Sequence, residues 1–143
     1  MKSKLLVASG ILILASCVRV ENRSLQSYLV GNWQLKSMGS DLNGNGSLDS
    51  NEVQMTIPDS MGLFTTFQAD GKGVANIKIN KFNLSSDFRW KVDEATKMVT
   101  IVSDSTQLLS ALCTTQGAYD MTFALQNGSS SPIGKTLLTY HRK

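Results

Sequence analysis

The sequence predicts a small all-β protein, an antiparallel barrel of seven or eight strands preceded by a short helix. Most of the chain after residue 32 alternates apolar and polar residues with a period of two, which is typical of strands with one dry face. Turns rich in Gly, Asn and Asp separate these runs at hairpin spacing. The chain has no Rossmann or P-loop glycine pattern and no internal repeat. Antiparallel strands with one apolar face must close on themselves or pack as a sandwich.

The first sixteen residues predict a secretory signal peptide. Lys2 and Lys4 form a basic start, and residues 5–14 are apolar or small. Ten residues make a helix of about 15 Å, which is too short for a bilayer core of about 30 Å. Leu14-Ala15-Ser16-Cys17 resembles the bacterial lipobox. That resemblance implies cleavage before Cys17, a diacylglycerol on its thiol, and a further acyl chain such as palmitate on the new amine.

This interpretation divides the chain into a signal peptide (1–16), the lipidated Cys17 with its tether (17–24) and one barrel domain (25–143). Two or three acyl chains hold a protein firmly, because each buried CH₂ contributes about 0.8 kcal/mol. Cys17 is followed by Val18 and not by Asp, and residues 18–23 lack an acidic run. We therefore expect a lipid-anchored envelope protein, on the outer membrane and facing the periplasm.

The domain is predicted to begin with a helix. Ser24 is a candidate cap for Leu25, Tyr28 and Leu29, whose spacing is helical, and Gly31 ends the helix. Strands are predicted over residues 33–36, 53–57, 63–69, 74–79, 88–92, 98–103, 119–125 and 136–140, with a tight hairpin turn at 70–73 and loops at 58–62 and 127–132.

One segment, residues 105–113, is ambiguous. Leu108, Leu109 and Leu112 have helix-compatible spacing behind Ser105, which favours a short helix over an irregular strand.

Three short motifs carry a family resemblance. Gly31-Asn32-Trp33 resembles the Gly-x-Trp signature of lipocalins and of the lipocalin-like domains of bacterial lipoproteins. Residues 67–73 look like the Phe-x-x-Asp-Gly hairpin of that family, and the similarity continues at 88–90. The resemblance covers residues 25–141. It implies that the helix and Trp33 plug one end of the barrel, and that an Arg near the end of the last strand, here Arg142, stacks on that Trp.

Residues 41–52 fit the twelve-residue EF-hand calcium loop position by position. Oxygen-bearing side chains fall at positions 1, 3, 5, 9 and 12, a glycine at position 6, and a backbone carbonyl is expected from position 7. The candidate calcium ligands are Asp41, Asn43, Asn45, Ser47, Asp49 and Glu52. Both flanks are strand-like, so we expect a structural calcium loop between the first two strands and not an EF-hand domain. Three carboxylates predict weak binding, with Kd about 10⁻⁵–10⁻³ M. The alternative is an Asn- and Gly-rich surface turn.

Charge and cysteine content exclude two classes of protein, those that bind nucleic acid and those held together by disulfides. The formal charge of +3 includes Lys2 and Lys4, so the chain without its signal peptide carries 3 − 2 = +1, and its basic residues are scattered. That argues against nucleic-acid binding. If Cys17 is lipidated, Cys113 has no partner for a disulfide. Cys113 is then a small buried apolar residue, or else a reactive or intermolecular thiol.

No pattern in the chain predicts catalysis. His141 is the only histidine, and no Ser or Cys has a base placed near it by a motif. Asp104 and Asp120 are interpreted as surface acids.

Two non-enzymatic functions remain from the sequence. The first is a barrel that binds a small apolar ligand, with a lining of Phe67, Ile77, Phe88, Trp90, Tyr119, Met121 and Phe123. Plain core filling is the alternative for these side chains. The second is an envelope interaction module for a protein or glycan partner. A large cavity favours the first function, and a solid core with an exposed apolar patch favours the second.

Overall fold

The computed structural model describes residues 23–52, 54–103, 106–126 and 134–143. In these ranges one short helix precedes nine strands. They are α1 (Leu25–Leu29), β1 (Gly31–Asp41), β2 (Gln54–Thr56), β3 (Met61–Phe67), β4 (Lys72–Ile79), β5 (Phe82–Asp93), β6 (Met98–Ser103), β7 (Thr106–Gln116), β8 (Asp120–Leu125) and β9 (Lys135–Arg142). The predicted signal peptide, Cys17 and the loop at 127–132 lie outside the described residues.

The strands form one closed antiparallel barrel. Each strand from β3 to β9 pairs with the next, and β9 pairs back to β1. One edge of β1 is shared, since Gly31–Gln34 pair with β3 and Ser37–Gly39 pair with β2. Strands β2 and β3 therefore follow each other along the same edge of β1 and together occupy one position in the barrel. The nine strands thus form an eight-stranded barrel. The predicted fold class is confirmed.

The helix predicted over residues 105–113 is wrong for the described part of that segment. Residues from Thr106 onward form β7, which pairs with β6 on one side and β8 on the other. Both ladders contain a register shift, at Ile101/Val102 and at Cys113/Thr115. Leu109, Ala111 and Cys113 pack against the barrel core on alternate positions. Cross-strand pairing and burial on one face outweigh the helical spacing of the leucines.

Helix α1 and Trp33 close one end of the barrel, which we call the closed end. Ser24 caps the helix as predicted, because its Oγ accepts a hydrogen bond from the Ser27 N–H at 3.2 Å. The fully buried Trp33 indole donates to the Leu29 carbonyl at 2.7 Å. A plug made of helix and indole is what the family resemblance implied.

Arg142 completes the plug. Its guanidinium lies 4.5 Å from the centre of a Trp33 ring and donates to the carbonyls of Tyr28 and Val30. Gly31 has φ of +139°, and a Cβ there would lie 3.3 Å from an Arg142 nitrogen. The glycine thus gives the chain its turn into β1 and leaves room for the guanidinium.

Two further contacts tie α1 to the turns at the closed end. The Glu94 carboxylate, in the β5–β6 turn, accepts from the N–H groups of Leu25 and Gln26 at 2.9 and 2.8 Å. The Tyr28 hydroxyl donates toward the carbonyls of Gly117 and Asp120, both at 2.9 Å. Burial raises the pKa of Tyr28 to about 12, so this hydroxyl stays a donor at neutral pH.

The opposite end, which we call the open end, carries the 41–52 loop, strand β2 and the tip of the β4–β5 hairpin. The tip is a two-residue turn in which Ile79 pairs with Phe82 and Asn80 has φ of +52°.

No helix in the described part of the chain is long and apolar enough to cross a membrane.

Candidate functional site

The barrel interior is filled by side chains. Five of the seven predicted lining residues are buried, with exposed fractions of 0–7%: Phe67, Phe88, Trp90, Met121 and Phe123. The Phe67 ring centre lies 5.6 Å from that of Phe88 and 5.0 Å from that of Trp90, both edge-on. Such packing is typical of a close-packed core.

Among the described residues, a cavity inside the barrel has a volume of about 30 Å³ and is lined mainly by apolar side chains of β3, β6, β7, β8 and β9. Ligand sites for small molecules usually measure about 300–1,000 Å³. Tyr140 and Thr65 are the polar residues of the lining, and burial raises the pKa of the Tyr140 hydroxyl. The cavity is large enough for about one water molecule.

The other two predicted lining residues lie outside the core. Tyr119 precedes β8, in the turn at the closed end, and is 64% exposed with its ring beside His141. Ile77 belongs by register to the inner face of β4, but it is 39% exposed. Position in the barrel overrides strand parity at both sites.

Ile77 belongs to an exposed apolar surface, which we call the mouth face: Ile77, Ile79, Phe82 and Leu84. Ile77 pairs with Leu84 and Ile79 pairs with Phe82, so the four side chains point to one side of the β4–β5 hairpin. Phe82 is 76% exposed and Leu84 66%. The same side of the hairpin carries Phe88 inside the barrel, so the mouth face continues the core surface beyond the rim.

Sequence reasoning missed the mouth face. The alternation of Ile77 and Ile79 before the turn, and of Phe82 and Leu84 after it, was a readable signal for two strand arms. The exposure of these side chains could not be predicted from the sequence, because it depends on where strand β6 ends. Strand β6 pairs with residues 89–93 of β5 and leaves residues 82–88 beyond it.

The 41–52 loop brings together the side chains that sequence spacing selected. Asp41 is 2% exposed, and its carboxylate accepts from the N–H groups of Gly44, Asn45 and Gly46 at 2.7–3.1 Å. Glu52, 9% exposed, accepts from the N–H groups of Leu42, Asn43 and Asp49 at 2.7–3.2 Å. The first and last carboxylates thus fold the loop around themselves.

The middle of the loop is arranged differently from a filled calcium site. The amide nitrogens of Asn43 and Asn45 both donate to the Asp49 carboxylate at 2.8 Å. Their amide oxygens accept from the N–H groups of Asn45 and Ser47. Across the described ranges, no group of three or more His, Cys, Asp and Glu side chains is placed to hold a metal ion. Coordination by both asparagines would need their amides to turn.

Groups with chemical reactivity do not form a catalytic set in the described part of the chain. His141 Nδ1 lies 2.7 Å from Asp120 Oδ1, with both side chains exposed to solvent. The described residues place no hydroxyl or thiol in hydrogen-bond contact with this histidine. Cys113 is a free, buried cysteine, and burial raises the pKa of its thiol. It therefore stays protonated and unreactive at neutral pH.

A second concavity lies on the outside of the barrel. It is an open groove of about 770 Å³ across β4, β5 and β6. Lys72, Arg89 and Val102 stand side by side on this face, with Asp87 nearby. Its charges are of both signs and solvated, which indicates an ordinary twisted sheet surface.

Comparisons with known proteins add a structural likeness. A solved structure of a bovine odorant binding protein, a deswapped triple mutant, superposes with a TM-score of 0.40 and 13% identity, over 79% of this chain and 71% of that chain. No protein-family model and no curated protein matches the sequence. The strand order and the plugged end define the class: this is a small, closed, antiparallel β-barrel of eight strands with one short helix.

Proposed function

We propose that this protein is a non-enzymatic, lipid-anchored lipoprotein of the bacterial envelope that binds an apolar partner at the open end of its barrel. The observation that carries the proposal is the mouth face. Four large apolar side chains lie on one surface beyond the rim, while the cavity that the described residues form inside the barrel measures about 30 Å³. Monomeric proteins rarely leave such contiguous apolar surface uncovered unless it binds something.

A carrier function, with a small apolar ligand inside the barrel, is the second candidate. It is favoured by the closed barrel and its apolar lining of Phe67, Ile101, Leu109, Phe123 and Leu138. A ligand larger than about one water molecule must displace some of these side chains. The mouth face needs no such rearrangement, and this difference favours the external site.

The two candidates are separated by binding of the fluorescent apolar probe ANS and by native mass spectrometry of Val18–Lys143 after incubation with decanoate. We expect ANS to bind wild type, and the double variant Phe82→Ser/Leu84→Ser to lose most of this signal. Tyr119→Ser is the matched control, since Tyr119 is 64% exposed at the closed end, opposite the mouth face. If the double variant binds as much ANS as wild type and still shows bound decanoate in the mass spectrum, the binding site lies in the barrel interior.

The lipid anchor is the part of the proposal that rests on the lipobox at Cys17. Whole-cell fractionation tests it directly. The wild-type chain should enter the detergent phase of a Triton X-114 partition, and Cys17→Ser should leave it. A wild-type chain found in the aqueous phase would replace the anchor with a plain secretion signal.

Calcium is the proposed structural ion of the 41–52 loop. Asp41 and Glu52 are buried, and among the described residues neither carboxylate forms a salt bridge with a basic side chain. Burying charge without a counter-ion is costly, and a divalent cation would relieve that cost. The acidic and amide oxygens of the loop are the ligand type that calcium takes.

A further inference from the structure

The mouth face lies beside an unpaired strand edge. Residues 82–89 of β5 pair with β4 on one side, but only residues 89–93 pair with β6 on the other. Within the described ranges no backbone group pairs with the open side of residues 82–88; one side-chain contact, from Ser103 Oγ to the Asp87 carbonyl at 3.3 Å, reaches it. Natural proteins usually cover or blunt such an edge.

Strand alternation identifies the backbone groups on this edge. The Trp90 N–H donates to the Gly71 carbonyl at 2.8 Å, so even-numbered residues of β5 face β4. Asn83, Ser85 and Asp87 therefore present their N–H and C=O groups on the open side. Their side chains point to the outer surface, while Phe82 and Leu84 point to the mouth face. An added strand would find hydrogen-bonding groups and an apolar surface together.

If Cys17 is lipidated, as proposed above, the chain's own N-terminal tether cannot be the occupant. The seven steps from Cys17 to Ser24 span at most about 25 Å. They start at α1, at the closed end. Strand β1, with 11 residues, is about 36 Å long, and the mouth face lies at the end of the barrel toward which β1 runs. If Cys17 is lipidated, as proposed above, the closed end also faces the membrane and the mouth face points away from it.

A second copy of the chain fits poorly. Two-fold pairing of one β5 edge with another is antiparallel and reverses the barrel axis. The second closed end would then lie on the far side of the dimer, where a 25 Å tether cannot return to the same membrane. This argument favours a different protein over self-pairing.

The charge near the open edge of β5 indicates which residues a partner segment should carry. Lys78 and Lys81 are exposed at the tip of the hairpin, and Lys78 pairs with Asn83 on the outer face. We propose that the open edge of β5 at Asn83–Asp87 accepts an extended segment of a partner protein, which adds one strand to the sheet, covers Phe82 and Leu84 with its apolar side chains and places acidic residues near Lys78 and Lys81. Backbone bonds supply the affinity and alternate side chains the selectivity.

The test uses Val18–Lys143 and a synthetic hexapeptide, acetyl-Asp-Val-Thr-Val-Thr-Val-amide, observed by ¹⁵N–¹H NMR. We expect saturable shifts at the amides of Asn83, Ser85 and Asp87. The matched control is the same peptide with N-methyl groups on the alternate residues that face β5, which keeps the side chains and removes the donors. Loss of two or three hydrogen bonds should weaken binding at least about tenfold.

On the protein side, Ser85→Pro removes one edge N–H without disturbing pairing to β4, and Ser85→Thr is its control. Ser85→Pro should lose peptide binding and keep ANS binding, and the dispersion of its ¹⁵N–¹H spectrum reports that the variant is folded. Equal binding of the N-methylated peptide, or no shift at residues 83–87 with either peptide, would overturn the strand addition; retained ANS binding would then leave the proposed function standing. Shifts of the same amides on raising the protein concentration alone would assign the edge to a second copy and overturn the partner proposal.

Discussion

The closed and open ends of the barrel are stabilised in opposite ways. At the closed end, contacts join residues far apart in the chain: Glu94 to Leu25, 69 residues away, and Arg142 to Tyr28, 114 residues away. At the open end, the carboxylates of Asp41 and Glu52 bond to backbone groups no more than 10 residues away. The closed end therefore unfolds only with the whole barrel, whereas the open end can change locally.

This difference explains where a binding surface can lie. A buried plug such as Trp33 cannot be exposed without loss of the core. The mouth face is already exposed, so binding there requires little rearrangement of the barrel. Stability concentrated at one end leaves the other free for recognition, and the following experiments test how far this division holds.

The largest effect is expected at the closed end. Trp33→Ala should lower the free energy of unfolding by about 3–5 kcal/mol, because it empties a fully buried site and removes the surface beneath Arg142. Urea denaturation followed by circular dichroism measures the loss. Tyr119→Ala, an exposed aromatic at the same end, should change stability little. Similar losses in the two variants would show that the plug does not concentrate stability.

Calcium should have the next largest effect, at the open end. At 100 times Kd, a single site that binds only the folded state adds about 2.7 kcal/mol. Differential scanning calorimetry with calcium and with EGTA measures this gain. Glu52→Gln should abolish it, since the buried position-12 carboxylate loses its charge. Asp59→Asn, at an exposed acid outside the loop, should keep it. A calcium gain that survives in Glu52→Gln would remove the site from the loop.

A smaller, pH-dependent effect on stability is expected for the hydrogen bonds between Glu94 and the start of α1. Hydrogen bonds from Gln26 and Leu25 hold the pKa of Glu94 below its usual 4.5. A pKa lower in the folded than in the unfolded state stabilises the protein above pH 4.5, and the gain is lost as the pH falls through the folded value. Glu94→Gln should cost about 0.5–1 kcal/mol at pH 7.

The comparison with wild type is made by urea denaturation between pH 7 and pH 3. The two proteins should converge in stability as the pH falls below 4.5. A constant difference at every pH would mean that Glu94 acts through packing and not through its charge.

The smallest stability effect is expected at the mouth face. Phe82→Ser should change the free energy of unfolding by less than about 0.5 kcal/mol, because the side chain is 76% exposed. Phe67→Ala, at a core phenylalanine that is 3% exposed, should cost about 3–5 kcal/mol. A loss in Phe82→Ser that approaches that of Phe67→Ala would mean that the mouth face is a structural surface.

Local patterns predicted most of the fold. The period-two runs, the Ser24 cap and the hairpin at residues 70–73 all depend on neighbours in sequence, and the structure contains each of them. Arg142 stacks on Trp33 as the family resemblance implied, although it is the penultimate residue. The β7 segment was misjudged because its register shifts break the alternation that identifies a strand.

The candidate site was predicted less well, because exposure is a property of the whole barrel. Seven aromatic and aliphatic residues were chosen as a lining by strand parity alone. Parity places Ile77 and Phe67 on the same surface, yet only Phe67 lies below the rim. Strand ends and barrel height separate the two, and neither is encoded in a local pattern. The calcium loop was selected by spacing, and the structure shows its side chains bonded to each other.

The closure of the barrel also determines when folding can be completed. Strand β1 is the first strand to be synthesised and β9 the last, and they pair with each other over eight residue positions, from Trp33–Arg142 to Asp41–Lys135. The barrel therefore cannot close until β9 has left the ribosome, and such long-range closure is a slow step. The same arrangement makes the closed end depend on the last residues of β9. Loss of the Arg142 side chain would remove its contact with Trp33, and the plug would lose the guanidinium that holds it.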